Sequence, residues 1–205
     1  MHIALAGNIG AGKTTLAGIL SKGMGLEAEY DNVSHNPYIA DFYQDMPRWA
    51  LNLYVFNLTE RLKQTIKIAG ERRVVTDYSI YEEAEIYIPN LLGMGLLTRR
   101  EFDTYSSLFD AIAFLVRPPD VLVYLKANIS TLVDHIASRN LDYEESIRIE
   151  YLRKLNERYD AWFESYNRGK KIEFCVDDLD FVQNPADVSP LVNRLNAELF
   201  GLFPG

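Results

Sequence analysis

With 205 residues, 48% of them hydrophobic, the chain is expected to fold as one compact domain over residues 1–205. Its formal net charge of −8 argues against binding to nucleic acid or to an anionic membrane, because both attract basic surfaces. We expect no signal peptide and no membrane span, since no apolar stretch approaches the required length. The single cysteine, Cys175, excludes an intrachain disulfide and, because it lies in an apolar run, is expected to be a buried structural thiol. These features favour a cytoplasmic protein with a small-molecule partner.

A glycine-rich stretch near the N-terminus, Gly7-Asn8-Ile9-Gly10-Ala11-Gly12-Lys13-Thr14, fits the pattern G-x-x-x-x-G-K-[ST]. An apolar run that is typical of a buried strand precedes it, and a helical pattern starts at Thr15. A strand, a glycine-rich turn and a helix N-terminus together form a phosphate cradle, the P-loop, in which backbone N–H groups and the lysine face the phosphates. The hydroxyl of Thr14 would bind Mg²⁺. The stretch therefore predicts a nucleoside triphosphate as ligand.

Four more β-type runs follow, separated by helical segments, so that the five runs are residues 2–6, 26–30, 73–76, 121–125 and 172–176. Apolar runs that alternate with helices predict an α/β fold with a mostly parallel sheet covered on both faces. Ligands of such sheets bind beyond the carboxyl ends of the strands. We therefore expect the groups that follow the runs to lie along one edge of the sheet: Gly7, Asp31, Asp77, Lys126 and Asp177.

The intervening helices follow from periodicity and from start signals. A long helix begins after Pro47, and a capping box of Thr98 and Glu101 opens another, in which Phe102, Tyr105, Leu108/Phe109 and Ile112 share one face. A third amphipathic helix carries Leu152, Leu155, Tyr159 and Trp162, and a short one covers residues 191–200. These aromatic stripes are expected to pack in the core or at a dimer interface.

Phosphoryl transfer also needs a base near the acceptor and cations over the migrating group. Asp31 and Asp77, at the ends of the second and third runs, are the candidate carboxylates, and each has the alternative of a solvated loop acid or a helix cap. A polar segment at about residues 138–150 holds Arg139 and Arg148 and is expected to act as a lid over the phosphates. The alternative for this segment is a solvated charged face.

Several further motifs accompany the P-loop over nearly the full length of the chain. They are Asn36-Pro37-Tyr38, Arg48-Trp49, Asp77-Tyr78-Ser79-Ile80-Tyr81-Glu82, Pro89-Asn90-Leu91, Tyr143-Glu144-Glu145-Ser146-Ile147, Glu150-Tyr151-Leu152 and Leu155-Asn156-Glu157-Arg158-Tyr159. With this set the chain resembles the deoxynucleoside kinases, particularly the bacterial deoxyadenosine/deoxyguanosine kinase branch. The resemblance implies the P-loop kinase fold, a five-stranded parallel sheet flanked by helices, and a homodimer. It also implies ATP- and Mg²⁺-dependent phosphorylation of a purine deoxynucleoside 5′-hydroxyl in nucleotide salvage.

The resemblance also implies roles for individual residues. Asp31 would be the general base, Lys13 and Arg139 would neutralise the migrating phosphoryl group, and Thr14 with Asp77 would hold Mg²⁺. Glu144 would contact the sugar 3′-hydroxyl, Tyr87 would stack on the base, and Tyr54 and Tyr78 would also face the substrate. ATP would contact the residues of the P-loop and of a loop near the adenine: Gly7, Asn8, Gly10, Ala11, Gly12, Lys13, Thr14, Thr15, Asp180 and Phe181.

Four positions depart from the family pattern. Asp31 replaces a glutamate, Tyr54 a base-reading glutamine, Tyr78 an arginine, and Leu141 the second lid arginine. A phenol supplies neither the charge nor the donors of a guanidinium, so the changes indicate a shifted substrate or weakened catalysis. An alignment offset by a residue or two is the alternative explanation at Tyr54.

Two other functions stay open at this point. The first is a catalytically weak, nucleotide-binding homologue that acts as a regulatory or heterodimer subunit. The second is a kinase for another small acceptor, such as a nucleoside monophosphate, although the available arginines form no obvious second phosphate motif.

Overall fold

The computed structural model describes residues 1–31, 35–69, 73–139, 141, 144, 147–181 and 183–201. Its centre is a five-stranded sheet in the order β2-β3-β1-β4-β5, in which every strand pair is parallel. The strands are β1 (His2–Gly7), β2 (Glu27–Glu29), β3 (Val74–Thr76), β4 (Val121–Lys126) and β5 (Lys170–Cys175). The predicted five-stranded parallel sheet is therefore confirmed, with strand ends that differ by one or two residues.

Nine α-helices lie within the described residues: α1 (Lys13–Met24), α2 (Ile39–Gln44), α3 (Met46–Ile68), α4 (Ile80–Glu82), α5 (Ile88–Gly93), α6 (Arg99–Ala113), α7 (Ile129–Arg139), α8 (Ile149–Ser165) and α9 (Ser189–Phe200). A π-helical turn, Glu83–Tyr87, joins α4 to α5, and a 3₁₀ turn, Pro185–Val188, precedes α9. Neither α2 nor the π-helical turn is expected from hydrophobic periodicity. None of the described helices is long and apolar enough to cross a membrane.

Helices cover both faces of the sheet, and β1 lies between the two layers. Ala4 and Ala6 of β1 face a core built with α3, α6 and α8, whereas Ile3 and Leu5 face a core built with α1, α7 and α9. Because successive residues of a strand point to opposite faces, a strand that is buried on both faces is apolar throughout. The central position of β1 places the P-loop, which follows it, at the middle of the sheet edge.

The capping box that opens α6 is present as predicted. The Thr98 hydroxyl accepts from the Glu101 N–H at 3.3 Å, and the Glu101 carboxylate accepts from the Thr98 N–H at 2.8 Å. Caps of this kind stabilise a helix by about 1 kcal/mol. Along α6, Tyr105 and Phe109 are buried, but Leu108 is 40% exposed, so it lies outside the predicted buried face.

The prediction for Cys175 is wrong, because this thiol is exposed. β5 is an edge strand, and its residues alternate between a buried and an open face. Ile172 and Phe174 point to the core, which leaves Cys175 on the other face. The apolar residues around the cysteine lie mainly on the buried face, and Cys175 lies on the other face.

Candidate active site

The P-loop connects β1 to α1 through two glycines that adopt positive φ angles. φ is 88° at Gly10 and 89° at Gly12. A Cβ on Gly10 would lie 2.7 Å from the Leu132 carbonyl oxygen, and one on Gly12 would lie 2.9 Å from the ring of Phe181. Both positions therefore require glycine, and the turn leads directly into the N-terminus of α1, where backbone N–H groups favour an anion.

The ammonium group of Lys13 lies inside the loop. It donates to the carbonyl oxygens of Gly7 at 2.6 Å and of Asn8 at 3.1 Å. Burial lowers the pKa of this ammonium, and the nearby Glu82 carboxylate opposes the shift. Among the other predicted P-loop contacts, Ala11 is fully buried, whereas Thr14 and Thr15 are exposed at the start of α1.

Asp31 and Asp77 contact each other beside the P-loop, as expected for residues at the ends of neighbouring strands. The buried Asp77 accepts from the Thr14 hydroxyl at 2.6 Å and from the backbone N–H of Asp31 at 2.6 Å. Burial raises the pKa of Asp77, and the hydrogen bond from Thr14 partly offsets that effect. Asp77 therefore joins the P-loop helix to the end of β2.

The oxygen atoms of Thr14 and Asp77 fit a Mg²⁺ ion that is carried largely by its nucleotide. Both are hard donors, and they lie 2.6 Å apart at the start of α1. No cluster of three or more His, Cys, Asp or Glu side chains suited to a metal occurs in the described part of the chain. Mg²⁺ commonly uses one or two protein oxygens and takes its other ligands from phosphates and water.

Arg61 of α3 is a site residue that the sequence did not indicate. Its side chain is buried, forms an ion pair and hydrogen bond with Asp31, and approaches Glu83 Oε1 at 3.3 Å through Nη1. Burial lowers the pKa of Arg61, but Asp31 and Glu83 together raise it well above its ordinary value. Burial raises the pKa of Glu83 to about 7, although Arg61 opposes this shift. A charged residue on the largely apolar buried face of α3 was the available signal.

Glu82 is a second residue without an expected role. Its buried Oε1 accepts from the Gly7 N–H at 3.2 Å and from the Tyr159 hydroxyl at 2.8 Å. Its other oxygen, Oε2, accepts from the Ser79 N–H at 2.7 Å, which completes a capping box on α4. Burial raises the pKa of Glu82, and Lys13 and Arg61 oppose the shift. The pattern Ser79-x-x-Glu82 was the available signal for the capping box, although not for its contact with the P-loop.

A cavity of about 280 Å³ joins these groups to a wall of phenols. The P-loop end is formed by Gly10, Lys13 and Thr14, and the carboxylates Asp31 and Asp77 come next. The remaining lining includes Arg61, Glu82, Glu83 and the tyrosines Tyr43, Tyr54, Tyr78, Tyr87 and Tyr151. The structure therefore brings Lys13 and Thr14 of the P-loop to one cavity with the two predicted carboxylates and the predicted substrate-facing tyrosines.

Tyr54 and Tyr87 form part of this phenol wall. Their ring centroids are 5.9 Å apart, and Phe42 packs edge-on against Tyr54 at 6.0 Å. Burial, together with a hydrogen bond to Tyr151, raises the pKa of Tyr54, and burial raises the pKa of Tyr151 to about 12. Burial also raises the pKa of Tyr87, whose hydroxyl lies 3.2 Å from that of Tyr159. These phenols are neutral at pH 7 and offer hydroxyl groups as donors or acceptors.

Tyr78 lies under the guanidinium of Arg61, whose Cζ is 5.5 Å from the centroid of the ring. The Tyr78 hydroxyl is buried and has no hydrogen-bond partner among the described residues. Burial raises the pKa of this phenol. The guanidinium of Arg61 thus lies close to Tyr78, the position at which the family pattern has arginine, although Arg61 belongs to α3.

Arg139 and Glu144 also line the cavity. Their side chains form an ion pair at 3.4 Å, and burial raises the pKa of Glu144 while Arg139 opposes the shift. Within the predicted lid, residues 140, 142, 143, 145 and 146 lie outside the described residues. Leu141 is 37% exposed and is not part of the cavity wall.

Four predicted positions outside the P-loop do not line the cavity. Asp177 caps α7 by accepting from the Asn128 N–H and the Thr131 hydroxyl, each at 2.7 Å. Lys126 pairs with Asp160 at 3.2 Å and with Glu173 at 3.4 Å. Phe181 is buried against Gly12, and the Asp180 carboxylate accepts from the Gln183 N–H at 3.1 Å.

The family model described as Deoxynucleoside kinase matches residues 3–199. The chain belongs to the deoxynucleoside kinase family. As a member, it is a phosphotransferase that uses ATP and has deoxynucleosides as acceptors.

Curated relatives agree with this family. A deoxyadenosine/deoxycytidine kinase from Bacillus subtilis is 31% identical over 94% of this chain and 90% of its own length. A deoxyadenosine kinase from Lactobacillus acidophilus is 33% identical over 96% and 95%, and a deoxyguanosine kinase from Lactobacillus johnsonii is 32% identical over 96% and 92%. None of these relatives supports the alternative of a regulatory subunit.

Solved structures support the same fold. Deoxyadenosine kinase from M. mycoides with bound dATP superposes with a TM-score of 0.84 at 25% identity, covering 96% of this chain and 100% of the other. The same enzyme with bound dCTP gives a TM-score of 0.83 at 26% identity and equal coverage.

Proposed function

We propose that this chain transfers the γ-phosphoryl group of Mg²⁺-ATP to the 5′-hydroxyl of a purine deoxynucleoside in nucleotide salvage. The observation that carries the proposal is the single cavity that joins Lys13 and Thr14 to the carboxylates Asp31 and Asp77 and to the phenol wall. Relatives named as deoxyadenosine or deoxyguanosine kinases support a purine acceptor.

On the donor side, the P-loop N–H groups and Lys13 bind the phosphates of ATP, and Arg139 neutralises the charge of the γ-phosphoryl group during its transfer. Thr14 and Asp77 would hold the Mg²⁺ ion of the nucleotide, which would supply positive charge beside the phosphates. The contact of Arg139 with Glu144 supports this placement, because it holds the guanidinium at the cavity.

On the acceptor side, the Asp31 carboxylate accepts the proton of the 5′-hydroxyl, the 5′-oxygen bonds to the γ-phosphorus, and ADP leaves. Arg61 holds Asp31 in position through its ion pair. Tyr54 and Tyr87 flank the base, and Glu144 binds the sugar 3′-hydroxyl. Glu144 Oε2 is buried and has no partner among the described residues, which leaves it available as an acceptor.

A homodimer in the cytoplasm is part of the proposal. Large apolar side chains lie exposed along α6 and near the C-terminal ends of α3 and α6, two helices that pack against each other: Ile66, Leu108, Phe114 and Leu115. Exposed apolar surface of this kind is typical of an interface. Sedimentation equilibrium should find a dimer, and Phe114→Glu combined with Leu115→Glu should give a monomer.

The decisive experiment is incubation with Mg²⁺-ATP and a panel of deoxynucleosides, followed by product analysis. We expect purine deoxynucleoside monophosphates, with loss of activity by at least about 10²-fold in Asp31→Asn and in Lys13→Ala, because each removes a group at the reacting atoms. Wild-type product that does not exceed the Lys13→Ala background would refute the proposal.

A further inference from the structure

The side-chain amide of Asn156 on α8 joins the P-loop to the end of β4. Nδ2 of the P-loop residue Asn8 donates to Asn156 Oδ1 at 2.9 Å and to the Leu152 carbonyl at 2.9 Å. Nδ2 of Asn156 donates in turn to the Ala127 carbonyl at 2.7 Å, directly after β4. Both sides of the Asn156 amide are therefore engaged by groups outside α8.

These contacts define the orientation of Asn8. Its side chain is buried, and its Oδ1 accepts from the Ile9 N–H at 2.8 Å, so both donors and the acceptor of the amide are used. The backbone of the same residue supports the phosphate site, because the Asn8 carbonyl accepts from the Lys13 ammonium at 3.1 Å and from the Ala11 N–H at 3.1 Å. A shift of Asn156 would consequently reach Lys13 through one intervening residue.

The two helices that flank the predicted lid both contact the P-loop. α7 ends at Arg139 and α8 begins at Ile149. His135 of α7 donates through Nδ1 to the Gly10 carbonyl at 2.8 Å, and α8 binds Asn8 as described. Hydrogen bonds thus connect the P-loop both to α7, before the predicted lid, and to α8, after it.

We propose that Asn156 is a positioning residue that couples the P-loop to the helix after the lid. Through Asn8 it sets the geometry of the ATP phosphate site, and its position on α8 ties that geometry to the helix that follows the predicted lid. The inference rests on the proposed use of residues 7–14 as the ATP site. It assigns Asn156 no contact with either substrate.

Steady-state kinetics of three variants test this coupling. Asn156→Leu removes the amide at similar size, Asn156→Gln keeps an amide on a longer side chain, and Asn193→Leu makes the same change on an exposed position of α9. We expect Asn156→Leu to raise KM for ATP and to lower kcat, with a combined loss of about tenfold or more in kcat/KM for ATP. The KM for the deoxynucleoside should stay within about twofold of wild type, Asn156→Gln should recover part of the loss, and Asn193→Leu should have no effect.

A double-mutant cycle with Asn8→Ala separates coupling from general damage. If Asn156 acts through Asn8, the double variant should lose hardly more than Asn8→Ala alone, whereas independent effects would multiply and overturn the proposal. If Asn156→Leu lacks a cooperative thermal transition, the cycle is carried out with Asn156→Gln. Losses of Asn156→Gln and Asn8→Ala that multiply in the double variant would then also overturn the proposal.

The Lys13→Ala variant distinguishes this inference from the proposed function. Unchanged ATP binding in Lys13→Ala would refute the ATP site, and with it both proposals. Loss of ATP binding in Lys13→Ala, together with Asn156 variants that behave like Asn193→Leu, would refute only the coupling.

Discussion

The buried carboxylate of Glu83 should make the stability of the protein depend on pH. Burial raises the pKa of Glu83 from 4.5 to about 7, although Arg61 opposes the shift. Between these values the folded state keeps a proton that the unfolded state releases, so the free energy of unfolding falls as the pH rises through this range. At about 1.4 kcal/mol per pKa unit, this group costs about 3 kcal/mol of stability above pH 7.

Glu83→Gln removes this titration and can keep the local hydrogen bonds. The oxygen of the new amide can accept from Asn57 Nδ2, as Glu83 Oε1 does at 2.8 Å. The amide N–H can donate to the Tyr105 hydroxyl, which lies 3.4 Å from Glu83 Oε2. We expect the two proteins to be of similar stability near pH 5. The variant should then gain about 2.5 kcal/mol relative to wild type between about pH 5 and pH 8.

Urea unfolding at several pH values measures this difference. The matched control is Glu157→Gln, which changes an exposed glutamate on α8 and should shift stability by less than about 0.5 kcal/mol at every pH. A difference between wild type and Glu83→Gln that stays constant from pH 5 to pH 8 would show that the raised pKa of Glu83 is not the cause.

Three further predictions concern the cavity. Gly10→Ala places a Cβ 2.7 Å from the Leu132 carbonyl at a φ of 88°, so ATP affinity measured by calorimetry should fall by about tenfold or more, and wild-type affinity would contradict the steric argument. Tyr54→Gln introduces an amide into the proposed base site and should change the ratio of kcat/KM between bases by about tenfold or more; an equal change for every base would mean that Tyr54 does not read the base. Tyr78→Phe deletes a buried hydroxyl that lacks a partner among the described residues, so thermal or urea unfolding should show unchanged or increased stability, by up to about 1 kcal/mol, and a clear loss would reveal a missed hydrogen bond.

The sheet and the P-loop could be predicted because local patterns determine them. Strands buried on both faces are continuously apolar, as Ile3 to Ala6 and Val121 to Leu125 are. Gly12 adopts a conformation that only glycine takes readily, and the motif requires glycine at this position. Each of these signals lies within a few residues of the chain, so no tertiary contact had to be known.

The electrostatics of the site could not be predicted in the same way. Arg61 lies on α3, whose hydrophobic periodicity predicts only packing against the core. Its partners Asp31 and Glu83 come from separate parts of the chain. The π-helical turn that carries Glu83 also breaks the 3.6-residue period on which helix prediction relies. Cys175 was misjudged because an apolar run does not reveal whether its strand lies at the edge of the sheet.

The exposed thiol of Cys175 gives the protein a single chemical handle, because the chain has no second cysteine. Its Sγ lies 3.5 Å from Asp177, the residue that caps α7, and α7 leads to Arg139. A maleimide fluorophore would therefore attach at one defined place, at the base of a helix that flanks the predicted lid. Changes in its emission on adding ATP or a deoxynucleoside would report on that helix in the otherwise unaltered enzyme.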